Sequence, residues 1–162
     1  MIKFELLSKE NIDGVWELEK ICFDTPWTYK MFESEIDNNI SVYIVGIDEE
    51  NGEVVAYAGV WLMYDYGDIT NIAVHPDYRR EGIARKMLDT MINICKEKKI
   101  ERLFLEVKES NISAIKLYES FGFETDGVRK RYYQNKYDAY LMSLDLTKYQ
   151  ICKSEKSEKS ER

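Results

Sequence analysis

The feature that most constrains the fold of this chain is a strand-helix-strand pattern between residues 68 and 107. Residues 68–74 are β-rich, and residues 102–107 form a near-continuous apolar strand that we expect to be buried on both faces. Between them, residues 81–99 form an amphipathic helix whose apolar face consists of Ala84, Met87, Leu88, Met91, Ile94 and Cys95. A helix that connects two strands in this way predicts a right-handed crossover between parallel strands.

The segments on either side of this pattern are shorter. Before it, the periodicity predicts a strand at residues 2–7, helices at 11–22 and 28–38, and a hairpin of strands 41–47 and 54–63. After it, we expect a helix at 111–121 and a closing hairpin of strands 123–133 and 137–146. The predicted fold class is α/β (mixed α+β), with a central, mostly antiparallel sheet of about seven strands flanked by four helices. We expect one domain over residues 1–150 and a low-complexity charged tail over 151–162.

Composition and charge narrow the classes of function. The longest apolar run covers residues 54–64, which is shorter than the roughly 20 residues that a membrane helix needs. Cys22, Cys95 and Cys152 are too widely spaced for a zinc motif, so we expect reduced thiols and no metal. The net charge of −7 disfavours nonspecific binding to nucleic acid and favours a cationic partner. The N-terminal residues resemble a strand rather than an export signal, so we expect a cytoplasmic protein.

The start of the long helix carries a candidate phosphate-binding site. The preceding strand leads through His75-Pro76-Asp77-Tyr78, where His75 is expected in a loop, into Arg79-Arg80-Glu81-Gly82-Ile83-Ala84. Unpaired amides and the positive end of the helix dipole attract an anion there, and Gly82 lets it approach the backbone. A basic first turn paired with neighbouring carboxylates explains the pattern equally well. The segment lacks a P-loop and the three-glycine dinucleotide fingerprint, so ATP and NAD chemistry have no support.

These residues resemble the acetyl-CoA motif of the GCN5-related N-acetyltransferases (GNAT), Arg/Gln-x-x-Gly-x-Gly/Ala. From about Phe4 to Leu146 the chain is also similar to one branch of that superfamily, the bacterial ribosomal-protein-alanine N-acetyltransferases. The similar stretches are Phe23-Asp24-Thr25-Pro26-Trp27, Asn71-Ile72-Ala73-Val74-His75-Pro76, Leu105-Glu106-Val107 with Ser110-Asn111, residues 114–123, and Arg131-Tyr132-Tyr133. Two features depart from that branch: no proline follows Tyr133, and the final hairpin turn is short.

The resemblance implies a GNAT fold with a V-shaped splay between the fourth and fifth strands, where acetyl-CoA is bound. It implies that strand backbone pairs with the pantetheine arm, that helix amides hold the pyrophosphate, and that an asparagine contacts the cofactor. The cofactor-binding residues implied in this way are Ile72, Ala73, Val74, Arg79, Arg80, Glu81, Gly82, Ile83, Ala84, Arg85 and Asn111.

Acetyl transfer needs a neutral amine, a stabilised tetrahedral oxyanion and a proton for the departing thiolate. The resemblance implies that Glu106 is the general base, acting directly or through water, and that Tyr118 is the general acid. Structural interpretations remain open for both, because Glu106 could pair with Arg102 or Lys108 and Tyr118 lies on an apolar helical stripe. A backbone N–H near Val74 is the expected oxyanion donor.

The pKa of an amine limits which acceptors the enzyme can use, because only the neutral amine attacks. At pH 7 an α-amino group is roughly one-seventh neutral and a lysine about one part in 2,500, a further cost of roughly 3.5 kcal/mol. One carboxylate base therefore suits an α-amine, and the acidic chain suits a basic peptide such as the start of a ribosomal protein. Trp27, Tyr132, Tyr133 and Asp138 are candidates for the peptide groove, although buried aromatics and a surface aspartate are an alternative explanation.

The sequence thus predicts an acyltransferase that moves the acetyl group of acetyl-CoA to a free amine, favouring the N-terminal α-amine of a protein. Two alternatives stay open. One is a small-molecule amine or lysine acetyltransferase, which the acceptor residues would distinguish. The other is a noncatalytic acetyl-CoA-binding module, which the presence of both Glu106 and Tyr118 disfavours.

Overall fold

A computed structural model describes residues 1–133 and 137–148. The strands in this part of the chain are β1 (Ile2–Leu6), β2 (Ser41–Asp48), β3 (Val54–Met63), β4 (Tyr66–Val74), β5 (Arg102–Lys108), β6 (Glu124–Tyr133) and β7 (Tyr137–Asp145). The α-helices are α1 (Ile12–Cys22), α2 (Tyr29–Ile36), α3 (Ile83–Glu97) and α4 (Ile112–Ser120), and a 3₁₀ helix spans Pro76–Tyr78. The turn at residues 134–136 and the tail at 151–162 lie outside the described residues.

The element order confirms the predicted mixed α/β class, with boundaries within about two residues of those expected. No helix in residues 1–133 or 137–148 combines the length and apolarity that crossing a membrane requires. Across the same residues, no group of three His, Cys, Asp or Glu side chains is placed to hold a metal ion.

Local sequence signals explain where several elements begin and end. Thr28 caps α2, because its side chain accepts a 3.3 Å hydrogen bond from the Met31 N–H. Asn111 caps α4 by accepting a 3.3 Å bond from the Ala114 N–H. Gly122 follows α4 with a φ of +100°, which suits a residue without a Cβ. Each of these helix ends is therefore fixed by a residue within a few positions of it.

The chain divides into two compact units, and the first comprises residues 1–62 and 69–94. Its strands β1, β2 and β3 pair antiparallel, with Phe4 opposite Gly46 and Ile44 opposite Ala58. A buried cluster from α1, α2 and these strands forms the core of this unit. Its buried members are Leu7, Ile12, Val15, Leu18, Phe32, Tyr43, Val45, Ile47, Tyr57 and Ala73.

The second unit comprises residues 63–68 and the described residues from Cys95 to Lys148. The start of β4 pairs in parallel with β5, from Tyr66 opposite Arg102 to Asp68 opposite Phe104, which confirms the predicted parallel connection. β5 pairs along its whole length with β7, and β7 pairs with β6. The strand order of the seven-stranded sheet is β1-β2-β3-β4-β5-β7-β6, so the last strand lies between β5 and β6.

The expectation that β5 is buried on both faces is wrong. Leu103, Leu105 and Val107 are buried, whereas the alternating residues Arg102, Phe104 and Glu106 are exposed. Successive side chains of a strand point to opposite faces, and two of the three residues on the second face are charged. The strand is therefore buried on one face, and it presents a carboxylate on the other.

Gly59 on β3 is expected to tolerate no larger side chain. A Cβ at this position would overlap the Tyr43 ring and lie 2.7 Å from the Thr70 hydroxyl oxygen. The Tyr43 hydroxyl is hydrogen-bonded to that same oxygen at 2.8 Å, so the ring cannot easily move away. Gly59→Ala should lower the free energy of unfolding in urea by about 1–3 kcal/mol. Gly127→Ala is the control, because its Cβ would meet Leu141 at an ordinary 3.8 Å. Equal losses in the two variants would contradict the overpacking explanation.

Candidate active site

The turn that leads into α3 has a backbone suited to an anion. Arg80 and Gly82 have φ values of 66° and 78°, in the left-handed region, and the residues from Arg79 to Gly82 are exposed. A Cβ built on Gly82 would meet nothing within 4 Å, so this glycine borders open space. The first amides of a helix lack intrahelical acceptors, so an anion that approaches over Gly82 can bind them.

Side chains from the preceding residues fix this turn. His75 caps the 3₁₀ helix, since its Nδ1 accepts a 3.1 Å bond from the Asp77 N–H, which confirms its expected loop position. The Tyr78 hydroxyl donates to an Asp48 carboxylate oxygen at 2.7 Å, and this bond lowers the pKa of Asp48 and raises the pKa of Tyr78. The 3₁₀ helix is thereby anchored to the end of β2.

The end of β4 is held by two neighbouring side chains. The Val74 carbonyl oxygen accepts a 3.1 Å bond from Arg79 Nε and a 3.6 Å contact from the Cys22 thiol. Burial raises the pKa of that thiol. Ala73 is buried, while Ile72 and Val74 are half-buried. Arg79 is thus bound through Nε to the main chain at the end of β4.

Glu106 has an ion-pair partner that the sequence did not identify. Its Oε1 lies 3.0 Å from Arg129 Nη2, and the Glu106 side chain is 32% exposed. The partners considered from the sequence are placed elsewhere, because Arg102 pairs with Asp145 at 3.8 Å and Lys108 lies over an aromatic ring. Arg129 comes from β6, the strand on the far side of β7. The carboxylate is therefore fixed by a distant residue and still open to solvent.

Tyr118 lies on α4 with only 8% of its surface exposed. Its ring centroid is 5.7 Å from that of Phe123, so the ring is packed as a core tyrosine would be. Asn111, at the start of the same helix, uses its side-chain oxygen for the cap. Packing of the Tyr118 ring is compatible with a separate role for its hydroxyl, because the ring alone accounts for the position of Tyr118 on the apolar face of α4.

Two candidate acceptor residues have structural contacts of their own. Trp27 is half-buried, with ring centroids 5.3 Å from Phe32 and 6.2 Å from Tyr43. Asp138 accepts a 2.9 Å bond from the Arg131 N–H, which lowers its pKa, and a 3.2 Å bond from Lys130. Asp138 therefore stabilises the irregular part of the closing hairpin. Tyr132 and Tyr133 belong to β6, but their side chains lie outside what the structure describes.

A buried polar network escaped the sequence-based list of site residues. The Glu19 carboxylate accepts a 3.1 Å bond from the Trp27 N–H and another bond from the Tyr57 hydroxyl. The Tyr57 hydroxyl in turn accepts a 3.1 Å bond from the Asn71 side chain. Glu19 is 1% exposed, and burial raises its pKa. The sequence feature that could have identified Glu19 is a carboxylate at an apolar position of α1, between Leu18 and Cys22.

Comparison with known proteins identifies the family and the fold. The sequence model of the Acetyltransferase (GNAT) family matches residues 12–123. A Bacillus subtilis (strain 168) protein provisionally named ribosomal protein bS18-alanine N-acetyltransferase is 40% identical, over 85% of this chain and 91% of the relative. The crystal structure of the Escherichia coli ribosomal-protein-S18-alanine N-acetyltransferase superposes with a TM-score of 0.82 and 31% identity, covering 90% of this chain and 94% of that one.

A second crystal structure shows the same fold at lower identity. It is Arabidopsis thaliana NAA60 in complex with acetyl-CoA, with a TM-score of 0.80 and 16% identity, covering 91% of this chain and 99% of that one. The match of the family model covers well over half of the chain, and the bacterial relatives cover most of it. The chain therefore belongs to the Acetyltransferase (GNAT) family and is an acetyltransferase.

Proposed function

We propose that this enzyme acetylates the N-terminal α-amine of a protein in the cytoplasm, with acetyl-CoA as the donor and a basic ribosomal protein as the substrate. The observation that carries the proposal is the exposed Glu106 carboxylate on β5, a strand whose other face is buried. Relatives that align along most of this chain are named for acetylating the alanine of ribosomal protein bS18 or S18. Their named acceptor makes an N-terminal amine the first candidate for this enzyme.

The residues at the start of α3 fit a pyrophosphate. Gly82 offers open space and a backbone that a Cβ-bearing residue would adopt only with strain, which supports a role for the amides of residues 80–85 as the phosphate site. The backbone of Ile72, Ala73 and Val74 is proposed to pair with the pantetheine arm. Acetyl-CoA, when bound, supplies an acetyl group activated as a thioester. Asn111 is proposed to donate through Nδ2, the side-chain atom that its helix cap does not use.

Glu106 is proposed to remove the proton of the attacking amine, directly or through a water molecule. A carboxylate has two oxygens, so the ion pair of Oε1 with Arg129 is compatible with proton transfer through Oε2. Both side chains of this pair are partly exposed, and such pairs contribute only about 0–1 kcal/mol to stability. The pair is thus better explained by orientation of the carboxylate than by its contribution to folding.

The acceptor surface completes the proposed site. We assign Trp27, Tyr132, Tyr133 and Asp138 to it, with Asp138 acting by shaping the hairpin that carries the two tyrosines. An amide N–H near Val74 is the proposed donor to the tetrahedral oxyanion. An α-amine is favoured because one carboxylate base suits an amine that is already partly neutral.

The proposed function is tested by the release of free thiol from acetyl-CoA with a panel of amines. The panel contains basic peptides with free N-termini, the same peptides with blocked N-termini, peptides with internal lysine, and polyamines. Turnover with the free N-termini and loss of it on blocking would support the proposal. Turnover that survives blocking, or that occurs only with lysine or polyamines, would overturn it.

Tyr118→Phe is expected to slow turnover by about tenfold or more, while acetyl-CoA affinity stays nearly constant. The reason is that the ring still packs against Phe123 and only the proton that the hydroxyl gives to the thiolate is lost. Steady-state kinetics and calorimetry measure the two quantities. Tyr64→Phe is the control, because that tyrosine is 99% exposed. An unchanged turnover number with chemistry shown to be rate-limiting would make Tyr118 a core residue only.

A further inference from the structure

The segment between α1 and α2 is irregular and exposed, yet side chains fix both of its ends. Residues 23–26 are exposed and belong to no helix or strand. At one end the Cys22 thiol contacts the carbonyl oxygen of Val74, the last residue of β4, at 3.6 Å. At the other end the Trp27 N–H donates to the Glu19 carboxylate at 3.1 Å. The segment therefore has a defined position beside the end of β4.

Glu19 connects this segment to the interior of the first unit. Its Oε1 accepts from Trp27, and its Oε2 accepts from the Tyr57 hydroxyl, which also accepts from the Asn71 side chain at 3.1 Å. Glu19 and Tyr57 are 1% and 0% exposed, so these bonds are shielded from water. We call Trp27, Glu19, Tyr57 and Asn71 the Glu19 network. It runs from the irregular segment through α1 and β3 to β4.

Both ends of the Glu19 network lie next to proposed binding residues. Trp27 is a proposed acceptor residue, and Asn71 directly precedes Ile72, Ala73 and Val74, whose backbone is proposed to bind the cofactor. A buried carboxylate is a poor source of stability, because desolvation offsets much of what its bonds contribute. Its two oxygens do, however, fix the positions of two donors on separate elements. The arrangement is therefore suited to aligning the proposed acceptor residue Trp27 with the proposed cofactor-binding backbone of β4.

We propose that Glu19 is a positioning residue for the acceptor. Through the Glu19 network it holds the segment at residues 23–27 in a fixed position relative to β4. This inference rests on the proposed function, because it assigns Trp27 to the acceptor surface. Replacement of one carboxylate oxygen, a hydrogen-bond acceptor, by an amide NH2 group should displace the segment. The phosphate site should not change, because it is built from residues of the turn before α3. The expected signature is a defect in acceptor binding with donor binding retained.

The test compares Glu19→Gln with a matched variant of a second buried carboxylate. Glu35 is 9% exposed and accepts from the Trp61 indole at 3.0 Å and from the Ser41 hydroxyl, so Glu35→Gln makes the same chemical change away from Trp27. Glu19→Gln should raise the KM for a free-N-terminus peptide by about fivefold or more, as expected for loss of a hydrogen bond to a charged group. The Kd for acetyl-CoA should stay within about twofold, and Glu35→Gln should change neither constant by more than that.

Amide hydrogen exchange of residues 23–27 provides a readout that needs no turnover. Faster exchange there in Glu19→Gln, and not in Glu35→Gln, is expected. Where Glu19→Gln does not fold, Tyr57→Phe replaces it, because this change disconnects Glu19 from Asn71 and retains the bond to Trp27. Tyr57→Phe should show the same selective rise in KM.

The outcomes separate this inference from the proposed function. An unchanged KM in Glu19→Gln would overturn the role of Glu19, and so would a loss of acetyl-CoA affinity as large as the rise in KM. Peptide turnover by the unaltered enzyme would still support the proposed function in either case. If the unaltered enzyme acetylates only lysine or polyamines, the proposed function fails. The same comparison of KM with that amine then decides the role of Glu19. An enzyme inactive on every amine of the panel would overturn both.

Discussion

Glu106→Gln is expected to lower turnover on a free-N-terminus peptide at pH 7 by about 100-fold or more, the range of general acid-base catalysis. Glutamine preserves the shape of the side chain and can still accept a hydrogen bond from Arg129 through its amide oxygen. The variant loses the ability to take a proton from the amine. The fold should be retained, because the ion pair that is removed is partly exposed.

The pH dependence distinguishes base catalysis from simple positioning. As the pH rises above about 8, bulk solution deprotonates the α-amine and the carboxylate has less to contribute, so the loss should shrink. The measurement is kcat/KM against pH for both proteins on one peptide. Glu101→Gln, a change at an exposed carboxylate immediately before β5, is the control and should leave the profile unchanged. A parallel loss at every pH would assign Glu106 to positioning, and no loss would remove it from the mechanism.

Gly82→Val is expected to weaken acetyl-CoA binding by at least about tenfold, because each hydrogen bond to a charged group contributes about 1.5–3 kcal/mol. A valine side chain would occupy the open space above the first amides of α3. The backbone at residue 82 has a φ of 78°, a conformation that β-branched residues rarely adopt. Phosphate oxygens could then no longer reach those amides. Isothermal titration calorimetry with acetyl-CoA measures the change.

Gly52→Val serves as the matched control for Gly82→Val. Gly52 has a φ of 74° and also borders open space, but it lies in the turn between β2 and β3. The two variants share the backbone strain and differ in their distance along the chain from the proposed phosphate site. Retained affinity in a folded Gly82→Val protein would remove the phosphate site from the turn before α3. An equal loss in both variants would assign the loss to backbone strain rather than to blocked amides.

Features set by nearby residues were predictable from the sequence, and the helix start at Thr28 illustrates why. Its hydroxyl bonds to an amide three residues later, so a short window of sequence contains the whole interaction. The hairpin of β2 and β3 follows in the same way from the residues at 49–52 between two β-rich segments. For β5, the apolar Phe104 obscured an alternation that Arg102 and Glu106 would otherwise have revealed.

Features set by distant residues could not be predicted in the same way. The pairing of Glu106 with Arg129 depends on β7 being inserted between their two strands, and no local pattern specifies that order. The bond of Glu19 to Tyr57 joins residues 38 positions apart. In the sequence, Glu19 follows Leu18 in the first helix, and no residue near it in the chain identifies Tyr57 as its partner. The resemblance to a family supplied the names of candidate residues, but their partners required the three-dimensional structure.

The orientation of the proposed base depends on β7, which lies between β5 and β6. β5 carries Glu106 and pairs along its full length with β7, which is the last strand in the part of the chain that the structure describes. A polypeptide that has emerged from the ribosome only as far as β6 already contains Glu106, Tyr118 and the whole turn before α3. It lacks the strand that sets the register of β5 and brings Arg129 to the carboxylate. A chain that ends at β6 therefore carries both proposed catalytic side chains, Glu106 and Tyr118, without the strand that holds β5 and β6 in the arrangement that orients the base.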